Sequence, residues 1–257
     1  MRWMAWLSLL LAACSAQRVE EQDTTSLAEI REAETARTAQ LTSLAGRGAI
    51  ELRWRDDDGN HREQGDLDFW RDGRSLSFRI SKLGEPLYWF GGDEHHHWFF
   101  DMAGDETVLH IDMDDPYLDD IVSDTRDGLV LLGLAPLPQG TESGSNPLTM
   151  LDGRGRTWQA TWREGRLARV TLTDGDHRLI ATHRRSIQVE VPNSLSLHWP
   201  VTSGLIDISR DDREGEEVKI AFGRLSTDTS EEPMDRVFDL AFLRSALRPT
   251  RVHGPSP

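Results

Sequence analysis

The chain has 257 residues, with 44 acidic against 29 basic side chains and a formal net charge of −15. That balance repels nucleic-acid phosphates and anionic headgroups alike, so neither nucleic acid nor simple electrostatic docking on a membrane is expected. A single cysteine rules out an internal disulfide and a thiolate-rich metal centre, which leaves stability to burial in one sizeable domain or two small ones.

That cysteine, Cys14, closes the tetrapeptide Leu11-Ala12-Ala13-Cys14. Arg2 supplies a positive start, and Trp3 to Ala13 an uncharged run of about 11 residues, the size of a signal-peptide core. The run is well short of the ~20 residues that span a bilayer. The segment resembles the lipobox of bacterial lipoproteins. The resemblance implies a signal peptide over 1–13, removed before Cys14, and a diacylglyceryl and acyl group on that cysteine. Ser15 is not the aspartate that holds such proteins at the inner membrane, so the implied address is the outer membrane, with the domain facing the periplasm. No other cofactor is expected. Residues 14–26 are polar and lack periodicity, and read as the lipidated cysteine and its tether.

From Leu27 the pattern becomes helical, with Leu27, Ile30, Ala33, Leu41 and Leu44 on one side, Thr25 or Ser26 able to cap and Gly46 able to stop the helix. From Gly48 the period is two. Ile50, Leu52 and Trp54 alternate with charged residues up to the turn signal Asp56–Asn60, then Leu67 and Phe69, then Leu76, Phe78 and Ile80. Pro86 to Phe90 and His97 to Phe100 are apolar on both faces, and Thr107 to Ile111 closes the first set. Asp112 to Gly153 breaks the rhythm: an acidic loop, a short apolar helix at Leu129–Leu134, and a loop over Gln139–Asn146. Strands are predicted again at Thr157–Trp162, Leu167–Thr173, Arg178–His183, Ile187–Val191, Leu195–Trp199, Leu205–Ile208 and Val218–Phe222. Glu231–Arg236 reads as loop and Val237–Leu247 as a terminal helix.

About a dozen closely spaced strands joined by short turns demand an antiparallel meander, hence a mainly β protein. Each strand has an apolar face, and only two or three helices are available to cover them. A strongly curved sheet wrapped around helices fits that inventory better than a flat sandwich.

Three segments carry a resemblance to a known group: Ser43-Leu44-Ala45-Gly46-Arg47-Gly48-Ala49-Ile50, the run Pro86–Asp93 leading to His97-Trp98-Phe99-Phe100, and Val130-Leu131-Leu132-Gly133-Leu134. Together they resemble the LolA/LolB lipoprotein-localisation superfamily over roughly Leu27 to Phe222. The resemblance implies an unclosed barrel, one curved antiparallel sheet of about eleven strands, with a few helices plugging an apolar cavity that accepts acyl chains. It places the domain at 27–248, followed by a disordered tail over 249–257. It also implies partners: the outer-membrane bilayer through Cys14, lipid or lipoprotein acyl chains, and a periplasmic carrier protein. The group's lid-locking arginine matches no single arginine in this sequence, and Leu134-Ala135-Pro136-Leu137 is the candidate for its protruding apolar loop.

The aromatic and aliphatic residues of the strands are the cavity candidates: Leu52, Trp54, Leu67, Phe69, Phe78 and Ile80 in the first hairpins. Trp89, Trp98, Phe100 and Trp158 follow in later strands, with Leu131 and Leu134 from the short helix. Within His95-His96-His97, a strand would put His95 and His97 on one face with His110 across the sheet, giving three nitrogens, but the position after Asp93-Glu94 marks a polar turn rather than a metal site. The carboxylates between Asp112 and Asp124 lack the spacing of a calcium loop. No nucleophile elbow, zinc-protease helix or phosphate loop is present, so no catalytic residue and no enzymatic activity are expected. The leading expectation is a lipoprotein that binds acyl chains. The second is an anchored, non-catalytic scaffold with a filled core.

Overall fold

Alternation of apolar and polar residues builds most of this protein. The computed structural model describes residues 26–56, 59–93, 95–111, 125–144, 146–191, 199–211 and 215–254. The signal segment, Cys14, the tether as far as Thr25, the acidic run 112–124, positions 195–198 and the last three residues lie outside them.

The first meander comprises β1 (Ser43–Asp56), β2 (Gly59–Asp72), β3 (Ser75–Lys82), β4 (Glu85–Gly92), β5 (His97–Asp101) and β6 (Val108–Ile111). The second comprises β7 (Gly140–Ser143), β8 (Leu148–Asp152), β9 (Thr157–Arg163), β10 (Arg166–Asp174), β11 (His177–Gln188), β12 (Val201–Arg210) and β13 (Glu217–Ser226). Antiparallel pairing of β1 with β13 fuses the two into one unclosed, curved sheet. β14 (Arg251–His253) adds a parallel strand beyond β6, giving fourteen in the order β14-β6-β5-β4-β3-β2-β1-β13-β12-β11-β10-β9-β8-β7. The two end strands, β14 and β7, do not pair with each other.

The class agrees with expectation, and the excess over about eleven strands has identifiable origins. Gln139–Asn146 was expected as loop because Thr141, Glu142 and Ser143 carry no apolar face; they form edge strand β7, fully exposed, paired with β8. The expected tail beyond Pro249 contains β14. Arg178–His183 and Ile187–Val191, expected as two strands, are one strand to Gln188, whose polar middle absorbs register shifts at Arg185.

The helix α1 (Leu27–Ala39) starts on a capping box: Ser26 Oγ accepts from the Glu29 amide, and Glu29 Oε2 accepts from the Ser26 amide at 2.7 Å. It ends at Gln40, not at Gly46. Leu41 and Leu44 still reach the core, but from the connector and from β1. Gly46 and Gly48 serve close approach instead. A Cβ on Gly48 would lie 2.2 Å from the Ala221 carbonyl oxygen, and one on Gly46 2.4 Å from Leu225 Cδ2. The β1–β13 register shifts between Arg47 and Gly48, so these glycines let the sheet coil at the seam between its two halves.

The concave face holds the main core, where Ile30 of α1 and Leu129–Leu132 and Leu134 of the α2 region pack on the inward residues of both meanders. α2 (Thr125–Leu131) ends in a Schellman motif: Gly133 has φ +67°, its amide donates to the Val130 carbonyl, and the Leu134 amide donates to that of Leu129. Two short helices, α3 (Met234–Val237) and α4 (Leu240–Leu247), cover the opposite face of the first meander. None of the helices among the described residues is long and apolar enough to cross a membrane.

Candidate functional site: an apolar cavity under a latched helix

The helices do not fill the concavity. A cavity of about 400 Å³ remains between α2 and the strands. Gly128, Leu131 and Leu132 of the α2 region form its inner end. Its walls are Ile50 and Leu52 of β1, Leu76, Phe78 and Ile80 of β3, and Tyr88 and Phe90 of β4. Phe99 of β5, Leu179 of β11, Ile208 of β12, and Val218 and Ile220 of β13 complete them. The aromatic wall is preorganised by stacking, with ring centroids 4.8 Å apart for Phe78–Phe90 and 5.7 Å for Tyr88–Phe99. Burial, then the nearby Asp101 and Glu63 charges, pushes the Tyr88 phenol above its ordinary range, so it stays neutral.

Polar residues gather at the mouth, where β1 meets β2 and β12 meets β13. Arg53 lies between Glu51 (2.5 Å) and Glu217 (3.3 Å). The buried Arg210 reaches His177 Nδ1 at 3.2 Å. Asp101, His110, Ser209 and Glu216 complete the rim, and Trp54, stacked on His61 at 5.1 Å, also lines the cavity.

Charged side chains hold α2 at both ends. At its start, Arg156 grips Asp127 with both terminal nitrogens and donates Nε to Asp152 Oδ2 at 3.0 Å. The Trp158 indole donates to the same Asp152 oxygen at 3.1 Å, and the Arg154 and Arg156 amides donate to the other. Burial alone would push the Asp152 carboxyl upward, but those donors outweigh it and hold it below the usual range. At the far end, buried Arg71 of β2 donates to the carbonyls of Leu41 (2.5 Å), Leu134 (2.8 Å) and Gly73 (3.1 Å). It thereby ties the α1–β1 connector to the segment following α2. Burial, then the nearby Arg37 charge, lowers its pKa to about 10, so it remains a cation at neutral pH. No motif in the sequence had singled out Arg71 for this bridging position.

His183 of β11 lies against the same helix end, its Nδ1 2.6 Å from Ser203 Oγ. Burial, reinforced by the Arg37 charge and opposed by the Leu131 carbonyl, lowers its pKa to about 4.

Of the twelve residues singled out from sequence, Leu52, Trp54, Phe78, Ile80 and Leu131 line the cavity. Leu67, Phe69, Trp158 and Leu134 point to the same side of the sheet but are consumed in solid core, as the Phe69–Phe222 edge contact at 5.4 Å illustrates. Trp89, Trp98 and Phe100 are on the opposite face. Trp98 and Phe100 pack with Leu109, Ile111 and Leu243 of α4. Trp89 stacks on Trp70 at 6.0 Å, with the Arg79 guanidinium over both rings. Because β4 and β5 are apolar on both faces, parity does not tell inside from outside there, and Tyr88, Phe90 and Phe99 are the inward set. The sequence signal that would have sorted them is the amphipathic pattern of Leu240, Leu243 and Leu247, which requires an apolar partner on the outer face.

Two further expectations are corrected. Leu134, in the segment expected to protrude, is fully buried. Among the described residues the most exposed large apolar side chain is Leu83, 96% accessible at the β3–β4 turn. His95 and His97 do not share a strand, since β5 begins at His97 and the His95 and His96 amides both donate to Asp93 Oδ1 in a turn. Among the described residues, no group of three or more His, Cys, Asp or Glu side chains could hold a metal ion.

No protein-family model matches the chain, and no curated protein is recognisably similar in sequence. Solved structures are similar in fold. One, from Vibrio parahaemolyticus, provisionally described as an outer membrane lipoprotein-sorting protein domain, is 12% identical with a TM-score of 0.51, over 87% of this chain and 98% of that one. A DUF1329 family protein from Desulfovibrio piger is 13% identical with a TM-score of 0.48, over 87% and 100%. A LolA superfamily protein from Nitrosomonas europaea is 10% identical with a TM-score of 0.44, over 78% and 93%. The first of these shows a shared fold and no more than that.

Proposed function

We propose that this chain is a non-enzymatic lipoprotein, anchored in the outer membrane through acylated Cys14, that receives acyl chains of lipids or lipoproteins from the periplasmic side. The observation that carries this reading is the apolar cavity of about 400 Å³ enclosed by the curved sheet and α2. A solid core would bury the same residues at lower cost, whereas an unfilled apolar space forfeits dispersion contacts along its whole lining. Methylenes entering it recover those contacts and leave water, at ~0.8 kcal/mol each. α2 forms the inner end of the cavity, and beyond its core packing it is fastened at both ends by Arg156 and Arg71, so release of those fastenings is the route by which this wall would move. The lipobox-like Leu11–Cys14 and the fold shared with a lipoprotein-sorting domain accord with this role. The anchor makes the protein a receiver or local handler, since a domain tied to the bilayer cannot shuttle.

The test is native mass spectrometry of the chain from position 14 onward, carrying Cys14→Ser. Co-purifying lipid, displaceable by a fluorescent acyl probe, is the expected result. A clean apo mass with no probe binding would sink the proposal.

A further inference from the structure

We infer that the cavity accepts one acyl chain at a time, attached to a head that carries no net negative charge. This deepens the proposed acyl-binding function and rests on it. The first argument is volume. A methylene displaces about as much liquid as a water molecule, ~30 Å³. The cavity of about 400 Å³ therefore holds a single chain of about thirteen carbons. A lipid with two sixteen-carbon chains would need ~900 Å³, more than twice the space.

The walls confirm that the limit is not easily relaxed. Phe78, Phe90, Tyr88 and Phe99 are stacked pairwise on three adjacent strands, so with α2 in place widening the cavity means unstacking rings. On the other side Ile220 and Ile208 belong to β13 and β12, locked by the antiparallel ladders with β1 and with each other.

The second argument is the charge of the mouth. Among the described residues, Arg53 and Arg210 are the cations there, and Asp101, Glu216 and Glu217 are the anions, with His110 beside them. Arg53 is already bridged to Glu217 and Glu51, so an incoming carboxylate or phosphate would have to displace a built-in partner. An anionic head thus meets carboxylate repulsion at close range, while a zwitterionic or uncharged head can hydrogen-bond to the rim without that penalty. One chain of a larger acylated molecule and the chain of a lysolipid present the same chemistry to this site, and the probes below separate them.

The experiment is competition against a fluorescent acyl probe on the chain from position 14 onward, carrying Cys14→Ser, with lysophosphatidylethanolamines of ten to eighteen carbons. Affinity is expected to rise about fourfold per methylene and to level off near thirteen carbons. Leu52→Trp, which places a larger side chain into the half-buried upper wall, should move that break to shorter chains; circular dichroism reports whether the variant is folded, and the wild-type series stands without it. A monopalmitoyl peptide competing as well as the lysolipid identifies a chain borne by protein as an acceptable source, and the lysolipid alone competing identifies free lipid. Dipalmitoyl phosphatidylethanolamine or a tripalmitoyl peptide binding as tightly as the single-chain probes would overturn the one-chain inference while leaving acyl binding intact. Lysophosphatidylglycerol or palmitate outcompeting lysophosphatidylethanolamine of matched length would overturn the headgroup inference. Failure of every probe would instead remove the proposed function itself.

Discussion

Arg156 and Asp127 form a two-pronged ion pair, with side chains only 10% and 9% exposed, that fastens the first turn of α2 to the β8–β9 turn. Asp152 satisfies the remaining Arg156 Nε, and the guanidinium lies 5.7 Å from the Trp158 ring centroid, so every strong group in the cluster has a partner. Removing one member strands a buried charge. Arg156→Ala or Asp127→Ala is expected to lower stability by ~3–5 kcal/mol in urea unfolding, whereas Asp127→Leu combined with Arg156→Met should recover most of the loss. If the single variants unfold within ~1 kcal/mol of the parent, the pair is not the fastening inferred from its burial.

At the other end of the helix, Arg71 satisfies the carbonyls of both Leu41 and Leu134 with one nitrogen. Arg71→Leu leaves two buried acceptors without a donor, each costing ~1–3 kcal/mol. The loss should be local. Amide exchange is expected to accelerate most at Leu132, Gly133, Leu134 and Ala135, whose amides close the Schellman turn of α2. The on-rate of an acyl probe should rise in the same variant, because the inner end of the cavity has lost a latch. Uniform acceleration across the sheet, with no change in probe kinetics, would show Arg71 to be a general stabiliser rather than a latch.

His183 predicts an acid sensitivity. Its pKa is about 4 in the folded chain against an ordinary value of 6.5, because burial disfavours the imidazolium and Arg37 adds like-charge repulsion. Between those values the unfolded chain binds a proton that the folded chain does not, so stability falls as pH drops from about 6.5 to about 4 and this contribution is flat below. The full effect is on the order of 3 kcal/mol at 1.36 kcal/mol per unit. His183→Gln removes the titration. Urea midpoints measured at pH 7, 5.5 and 4 should converge for parent and variant as the pH falls, and parallel curves would refute the assignment.

How much of this was legible in the sequence depends on whether one face of each element differed from the other. Ile50, Leu52, Phe78 and Ile80 alternate with charged or hydroxyl residues, and their inward direction followed from parity. Trp89, Trp98 and Phe100 did not yield, because both faces of β4 and β5 are apolar, one lining the cavity and the other packing under α4. β7 was hidden because an exposed edge strand has no apolar face to advertise. The fastening of α2 was hidden for another reason. Arg71 and Arg156 lie far in sequence from Leu134 and Asp127, and nothing local in a chain with so many charges marks the few that are buried.

Leu83 combines backbone strain with nearly full exposure. It has φ +55° and is followed by Gly84 at φ +88°, a two-residue hairpin turn in which Asn-Gly is the favoured pair. A leucine in that left-handed region costs ~1–2 kcal/mol, and at 96% exposure it recovers nothing by packing. The strain is explained if the side chain has an apolar partner outside the protein, such as a bilayer. Leu83→Asn should therefore raise stability by ~1 kcal/mol. The same change should weaken partitioning onto vesicles of zwitterionic lipid by tens of fold, given the ~2 kcal/mol that burial of a leucine supplies. Sedimentation of the Cys14→Ser protein with such vesicles measures the second effect, and urea unfolding the first. Equal partitioning of parent and variant would leave the strain without a membrane explanation, while loss of both stability and partitioning would mean that Leu83 supports the turn itself.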